Sequence, residues 1–245
     1  MIIDAHAHCG KWFFPIFCES PRQVAGLCDR YEIEKAVFSS SRAITYDMES
    51  GNREVSQFIQ TDSRFYAYVY LNPGEYDRSR REMQSYLSMP RFVGVKLHPS
   101  YSGEPANSKA TLKLLETLPE SKVVLVHTWG RDGVNQVCEL ATAFSAHHMI
   151  MGHMGGGAEN EWRAGIEGAL RCPNTYLEIC GSVLHHDRIR EAVGVVGSER
   201  IVFGSDMTLL SPAFALGQVL DSDIGKEDKR RILHDNAAGL FRFEG

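Results

Sequence analysis

Ile2-Ile3-Asp4-Ala5-His6-Ala7-His8 stands at the start of the chain and decides how the rest is read. The run is short and apolar, and it carries two histidines one residue apart. Side chains on a strand alternate between faces, so His6 and His8 share one face. Neutral imidazole is the commonest side-chain metal ligand, and a His-x-His pair on a strand can clamp one ion. Alone the pair is a weak signal. Its weight depends on what the other strand-like runs end in.

Working outward, eight such runs follow one another: Ile2–His8, Lys35–Ser40, Phe65–Leu71, Phe92–His98, Lys122–Thr128, His148–His153, Thr175–Cys180 and Arg200–Asp206. Most are apolar and rich in β-branched or aromatic residues, as parallel strands buried on both faces should be. Helical patterns alternate with them. Pro21–Tyr31 starts after Ser20, with Pro at the first helical position. Asn52–Gln60, Tyr76–Leu87, Ser108–Leu115, Val134–Ser145, Glu161–Leu170 and Asp187–Val195 follow, and Lys226–Leu240 ends the series with an apolar stripe of Ile232, Leu233, Ala237 and Leu240. Alternating units imply a parallel sheet with helical crossovers, and eight of them in one chain of this length predict a single-domain α/β fold, the (β/α)₈ or TIM barrel. The competing open doubly wound sheet would advertise a Gly-rich turn after its first strand; here that strand ends in His6-Ala7-His8-Cys9.

Composition narrows the class further. The chain has 245 residues, 43% of them hydrophobic, and a net charge of −5. No apolar run approaches the roughly 20 residues of a membrane span, and no basic stretch leads into an apolar one as in a signal peptide. The expectation is a cytoplasmic protein. Without a basic block, neither nucleic acid nor an anionic membrane is the expected partner. The six cysteines (Cys9, Cys18, Cys28, Cys138, Cys172 and Cys180) form no C-x-x-C pair and read as reduced thiols; Cys9 and Cys180 fall near strand ends.

In a barrel, active residues sit at the C-terminal ends of strands. Five of the ten histidines fall there: His6 and His8 on the first strand, His98 on the fourth, His127 on the fifth and His153 on the sixth. Lys96 shares a face with His98, and Asp206 ends the eighth strand. His98, before Pro99, reads as a packed residue more than as a ligand. His147 and His148 belong at the opposite end of the sixth strand, and His185, His186 and His234 read as surface residues.

The runs Asp4-Ala5-His6-Ala7-His8, Gly94-Val95-Lys96-Leu97-His98-Pro99, Val126-His127-Thr128, Gly152-His153-Met154-Gly155-Gly156 and Gly204-Ser205-Asp206 together resemble the amidohydrolase superfamily, in its amidohydrolase-related branch of metal-dependent hydrolases and decarboxylases. The resemblance spans nearly the whole barrel. It implies His6, His8, His127 and Asp206 as ligands of one divalent ion, zinc first, with His153 unligated beside it. Three imidazoles and a carboxylate suit zinc, which makes water a nucleophile at neutral pH. Asp206 would then shuttle a proton, and His153 would polarise a carbonyl or steady an oxyanion. In binuclear members of the superfamily a carboxylated lysine on the fourth strand bridges two ions, with His127 and His153 holding the second. Lys96 fits that pattern too, although an unmodified Lys96 would more naturally bind a substrate carboxylate or carbonyl oxygen.

Other loop residues fall where substrate contacts arise. Arg42, Asn72, Tyr101, Trp129 and Arg131 follow strands two to five, and the arginines are placed to grip a carboxylate. Glu178 on strand seven reads either as an inward group near the site or as a surface or barrel-layer residue. The apolar run Trp12-Phe13-Phe14-Pro15-Ile16-Phe17 suits a pocket wall or a subunit interface. The leading functional expectation is a hydrolase, in which metal-activated water attacks a carbonyl carbon of a small amide, ester or lactone. The alternative is a non-oxidative decarboxylase acting on an aromatic or unsaturated carboxylic acid through the same metal site. A barrel kept only as a binding module would have lost some of these strand ends. The expected partner is a small molecule, with a carboxylate on it if Lys96 is free, and a homodimer is the default assembly.

Overall fold

The structure, a computed structural model, describes residues 1–16, 20–181, 185 and 187–243. Phe17, Cys18 and His186, which the sequence reading touched, lie outside the described residues. Eight parallel strands form one sheet in sequential order: β1 (Ile2–Cys9), β2 (Ile33–Ser40), β3 (Phe65–Tyr70), β4 (Phe92–Leu97), β5 (Val123–Val126), β6 (Met149–Met151), β7 (Thr175–Glu178) and β8 (Ile201–Val202). The seam between the last strand and the first is stitched by backbone. Ala5 N–H donates to the Phe203 carbonyl at 2.9 Å, Asp206 N–H donates to the His6 carbonyl at 2.8 Å, and Ala7 bridges Met207 in parallel. This is the expected (β/α)₈ barrel, with helices in the crossovers. No helix among the described residues is long and apolar enough to cross a membrane.

Two core layers hold it. Between sheet and helices lies the larger layer, including Val24, Phe38, Val55, Phe65, Val137, Trp162 and Ile189. The barrel interior is filled by Ile3, Ala5, Val37, Tyr66, Tyr68, Val93, Val123, Leu125, Ile150 and Val202, with Leu240 and Phe241 of the last helix packed against them. A packed interior closes the barrel from below, and in this architecture the chemistry belongs at the C-terminal rim.

Three differences from the sequence expectation bear on the site. First, β6 and β8 are shorter than predicted, because the backbone leaves the sheet where the polar residues begin. His153 and Met154 take φ of 58° and 53°, and Asp206 takes 60°, all in the left-handed region that ends a strand. Second, a helix at Pro212–Asp221 was not predicted, although Pro212 at its first turn is a legible start signal. Third, β1 does not alternate evenly. Asp4 pairs with Ala36 but Ala7 with Phe38, so β1 carries one extra residue there. The bulge flips the parity of the strand, so that Ile3 and Ala5 fill the interior and His6 and His8 still face inward above them. β4 carries a similar extra residue between Phe92 and Gly94, below Lys96.

Asp4 locks the rim. Its buried carboxylate accepts from the His6 N–H at 3.1 Å, the Ser205 N–H at 3.0 Å and the Ser205 hydroxyl. Burial pushes its pKa up to about 7 against the pull of those hydrogen bonds.

Candidate metal centre

At the rim His6, His8 and Asp206 bring ligand atoms within 4.8 Å of one another, all three buried. His8 Nε2 lies 3.1 Å from Asp206 Oδ1, and His6 Nε2 lies 3.9 Å from the same oxygen. The second nitrogens of both rings have partners: His6 Nδ1 lies 2.8 Å from Glu178 Oε2, and His8 Nδ1 lies 3.3 Å from the Ser39 hydroxyl. Such outer contacts orient a metal-binding imidazole. Two imidazoles and a carboxylate are a donor set that fits a divalent ion such as zinc.

His127 stands one step away. Its Nδ1 lies 2.9 Å from His153 Nε2, and its ring stacks on His98 at 3.8 Å between centroids. His98 is buried, and its Nδ1 has no hydrogen-bond partner. Lys96 is buried at the cavity floor with Nζ 2.9 Å from His6 Nε2. These residues line a cavity of about 270 Å³ whose other walls include Trp12, Phe14, Tyr101 and Leu209.

Burial shapes the protonation states. Desolvation, helped by the Lys96 charge, holds His6 well below the usual imidazole range. Burial likewise lowers His98, His127 and, to about 4, His153. The rings are therefore neutral at physiological pH, the form that ligates metals. Burial also brings Lys96 down to about 8, with Asp206, Cys180 and Glu178 pulling it back up. Burial opposes the charge on Asp206, but the His8 hydrogen bond, with the positive charge that His8, His6 and His153 carry when protonated, outweighs it and holds the carboxyl well below its ordinary range.

The structure does not bring every candidate to this cavity. Arg42 pairs with Glu54 at 3.7 Å and Arg131 with Glu167 at 3.1 Å, both on the surface and outside the cavity lining. Trp129 is about half exposed and stacks on His127 at 5.9 Å, behind the cavity wall. Asn72 caps a turn, accepting from the Gly74 N–H at 3.1 Å. Cys9 packs in the outer core. His185 is exposed and His234 half-buried. Trp12 and Phe14 of the apolar run line the cavity, while Phe13 is exposed.

Glu178 and Cys180, left open by the sequence, are both wholly buried against His6 and His153. A signal was present: a carboxylate and a thiol at alternate positions on a buried strand face the same way. Burial keeps the Cys180 thiol well above its usual pKa.

The family model described as amidohydrolase matches residues 3–243, nearly the entire chain. The chain belongs to the amidohydrolase family. Many solved structures share the barrel, among them these three. An amidohydrolase from Burkholderia multivorans with bound zinc is 14% identical, covers 100% of both chains and superposes with a TM-score of 0.78. A dihydroxybenzoic acid decarboxylase from Polaromonas sp. JS666, with bound manganese and the inhibitor 2-nitroresorcinol, is 17% identical over 98% of this chain and 96% of its own, at 0.79. A 2,6-dihydroxybenzoate decarboxylase complexed with 2,6-dihydroxybenzoate is 15% identical over 100% and 99%, at 0.77. At such identities the likeness is one of fold. No curated protein matches the chain. The amidohydrolase assignment makes the chain an enzyme.

Proposed function

We propose that this amidohydrolase is a metal-dependent non-oxidative decarboxylase of a small aromatic or unsaturated carboxylic acid. One observation carries the reading: Lys96 is a buried cation in the cavity, and among the described residues no carboxylate forms an ion pair with it. A buried charge is costly unless it is paired. A substrate carboxylate supplies the partner; a neutral amide or lactone does not. This favours the carboxy-lyase over the hydrolase. The decarboxylases among the related folds, one of them holding 2,6-dihydroxybenzoate, support the same direction.

His6, His8 and Asp206 would hold one ion, with His127 the further imidazole of the same cavity. When bound, that ion would polarise a substrate oxygen. With Lys96 unmodified, as this reading requires, the proposed content of the site is one ion, zinc or manganese. Lys96 Nζ receives the substrate carboxylate through a charge-assisted hydrogen bond. Trp12, Phe14, Tyr101 and Leu209 cover the apolar body of the substrate and exclude water. In the reaction one proton is delivered to the carbon bearing the carboxylate, the bond to that carboxylate breaks with its electron pair left on the carbon, and CO₂ departs. His153 and Asp206 line the cavity and rest with their cavity-facing atoms unprotonated, so they would relay a proton taken up from solvent and not give up one already held.

The test is a panel of hydroxybenzoic and unsaturated acids beside simple amides, esters and lactones, run on zinc- or manganese-loaded protein in D₂O. CO₂ release, with one deuterium at the vacated carbon, is the expected result. Cleavage of an amide or lactone, with no CO₂ from any acid, overturns the reading.

A further inference from the structure

We propose that Glu178 sets the tautomers of three of the site's imidazoles: this one buried carboxylate, acting directly on His6 and through Cys180 on His153 and then His127, leaves the metal-facing nitrogens of His6 and His127 bare. The proposal rests on His6 and His127 being metal ligands, and not on which reaction follows.

The argument is a count of donors. Glu178 Oε2 lies 2.8 Å from His6 Nδ1, 3.2 Å from the His153 backbone N–H and 3.0 Å from Cys180 Sγ, while Oε1 accepts from the Cys180 N–H. Both carboxyl oxygens already accept from backbone N–H groups and so present acceptors to the ring, which places the hydrogen of the His6 ring on Nδ1 and leaves Nε2 its lone pair. A second contact agrees independently. Lys96 Nζ only donates, and it lies 2.9 Å from that same Nε2. His6 is thus pinned from both sides in the form that binds a cation through Nε2.

The second branch runs through the thiol. Cys180 Sγ lies 3.0 Å from Glu178 Oε2 and 3.1 Å from His153 Nδ1. The carboxylate is the stronger acceptor and takes the thiol hydrogen; the sulfur then accepts from His153 Nδ1–H. His153 Nε2 is left bare and accepts from His127 Nδ1 at 2.9 Å. That leaves His127 Nε2 bare in turn. A single chain of hydrogens, all running toward Glu178, orders three rings.

The niche is built for it. A Cβ on Gly204 would lie 2.1 Å from Glu178 Oε1 and 2.8 Å from His6 Cβ, so only glycine leaves the carboxylate its place. The same four groups, His6, His153, Glu178 and Cys180, also resemble a cation site. Hydrogens on both Nδ1 atoms would exclude an ion there.

The test reads the rings directly. In uniformly ¹⁵N-labelled wild-type protein, long-range proton–nitrogen correlation spectra of the metal-free form should show His6, His153 and His127 with hydrogen on Nδ1 and bare Nε2. Zinc should then shift His6 Nε2 while Nδ1 keeps its hydrogen. Glu178→Gln should bind zinc about 10- to 100-fold more weakly in a competition titration with a chromophoric chelator. Cys180→Ser, which preserves donor and acceptor, should keep the wild-type His153 signature, and Cys180→Ala should lose it while His6, whose Nδ1 also lies 3.2 Å from Sγ, keeps its Nδ1 hydrogen on Glu178. A wild-type His6 protonated on Nε2, a folded Glu178→Gln protein with unchanged zinc affinity, or a second zinc held by a Cys180 thiolate overturns the proposal. If Glu178→Gln does not fold, the wild-type spectra decide. CO₂ assays play no part, so failure here is separate from failure of the decarboxylase reading.

Discussion

The two ends of the barrel hold the same residue types in opposite circumstances. At the C-terminal rim the nitrogens of His6, His8, His127 and His153 face one another, two carboxylates and an ammonium. At the N-terminal end His147 Nε2 meets the Leu118 carbonyl at 3.0 Å, and His148 meets the Tyr176 ring edge-on at 5.5 Å. There Phe243 packs on Tyr66 at 4.4 Å between centroids, with Lys35 above it at 5.4 Å. At one end the imidazole nitrogens meet other ligand atoms across a cavity, and at the other the imidazoles meet a carbonyl and a ring. A buried histidine therefore points to chemistry only when its nitrogens meet other ligand atoms. One that meets a carbonyl or an arene is a packing residue.

The sharpest way to break this contrast is Asp206→Asn. Asparagine tolerates the left-handed backbone at this position (φ 60°), so the fold should stand while a ligand is lost. Zinc content by elemental analysis should fall well below one ion per chain, and turnover should drop on the order of 10⁴-fold. At the other end, Phe241→Ala removes a buried ring from beneath the barrel. Urea unfolding should show a loss of about 3 kcal/mol or more, with zinc content unchanged. An altered zinc content would mean that the two ends are coupled. Lys96→Met sharpens the division within the rim itself. It should weaken carboxylate binding by about 2 kcal/mol, roughly 30-fold, as a rise in KM, and leave the ion in place. The smallest effect is expected on an exposed helix surface. At Gly194, in the helix Arg188–Val196, an added Cβ would meet nothing within 4 Å. Gly194→Ala should stabilise the protein by about 1 kcal/mol in the same unfolding assay, with activity unaltered.

How much of the site was legible varies strand by strand. On β5, β6, β7 and β8 plain alternation holds: Leu125 and then His127, Ile150 and then Gly152, Glu178 and then Cys180, Val202 and then Gly204 lie on the inner face. On β5, β7 and β8 the spacing of residues was enough; on β6 parity alone would put His153 on the outer face, and its left-handed backbone at φ 58° brings it into the site. On β1 and β4 it was not, because one extra residue in each strand changes which parity faces inward. His6 and His8 were still correctly paired with each other, since the bulge lies before them. Arg42 and Arg131 show the other limit. Their places in the chain suit a substrate carboxylate, but Glu54 and Glu167 lie within ion-pair distance of them on the surface. Sequence position does not reveal such competing partners.

The chain's order of residues determined the barrel and which side chains stand at its rim, because periodicity and strand-end placement are local properties that pair interactions with neighbours do not alter. Only the closed tertiary structure decided that Glu178 meets His6 across 172 positions of chain, that Lys96 is sealed beneath the ligands, and that His127 reaches the site through His153. Those contacts depend on strand register and on which charges find each other first, and both are set when the sheet closes on itself.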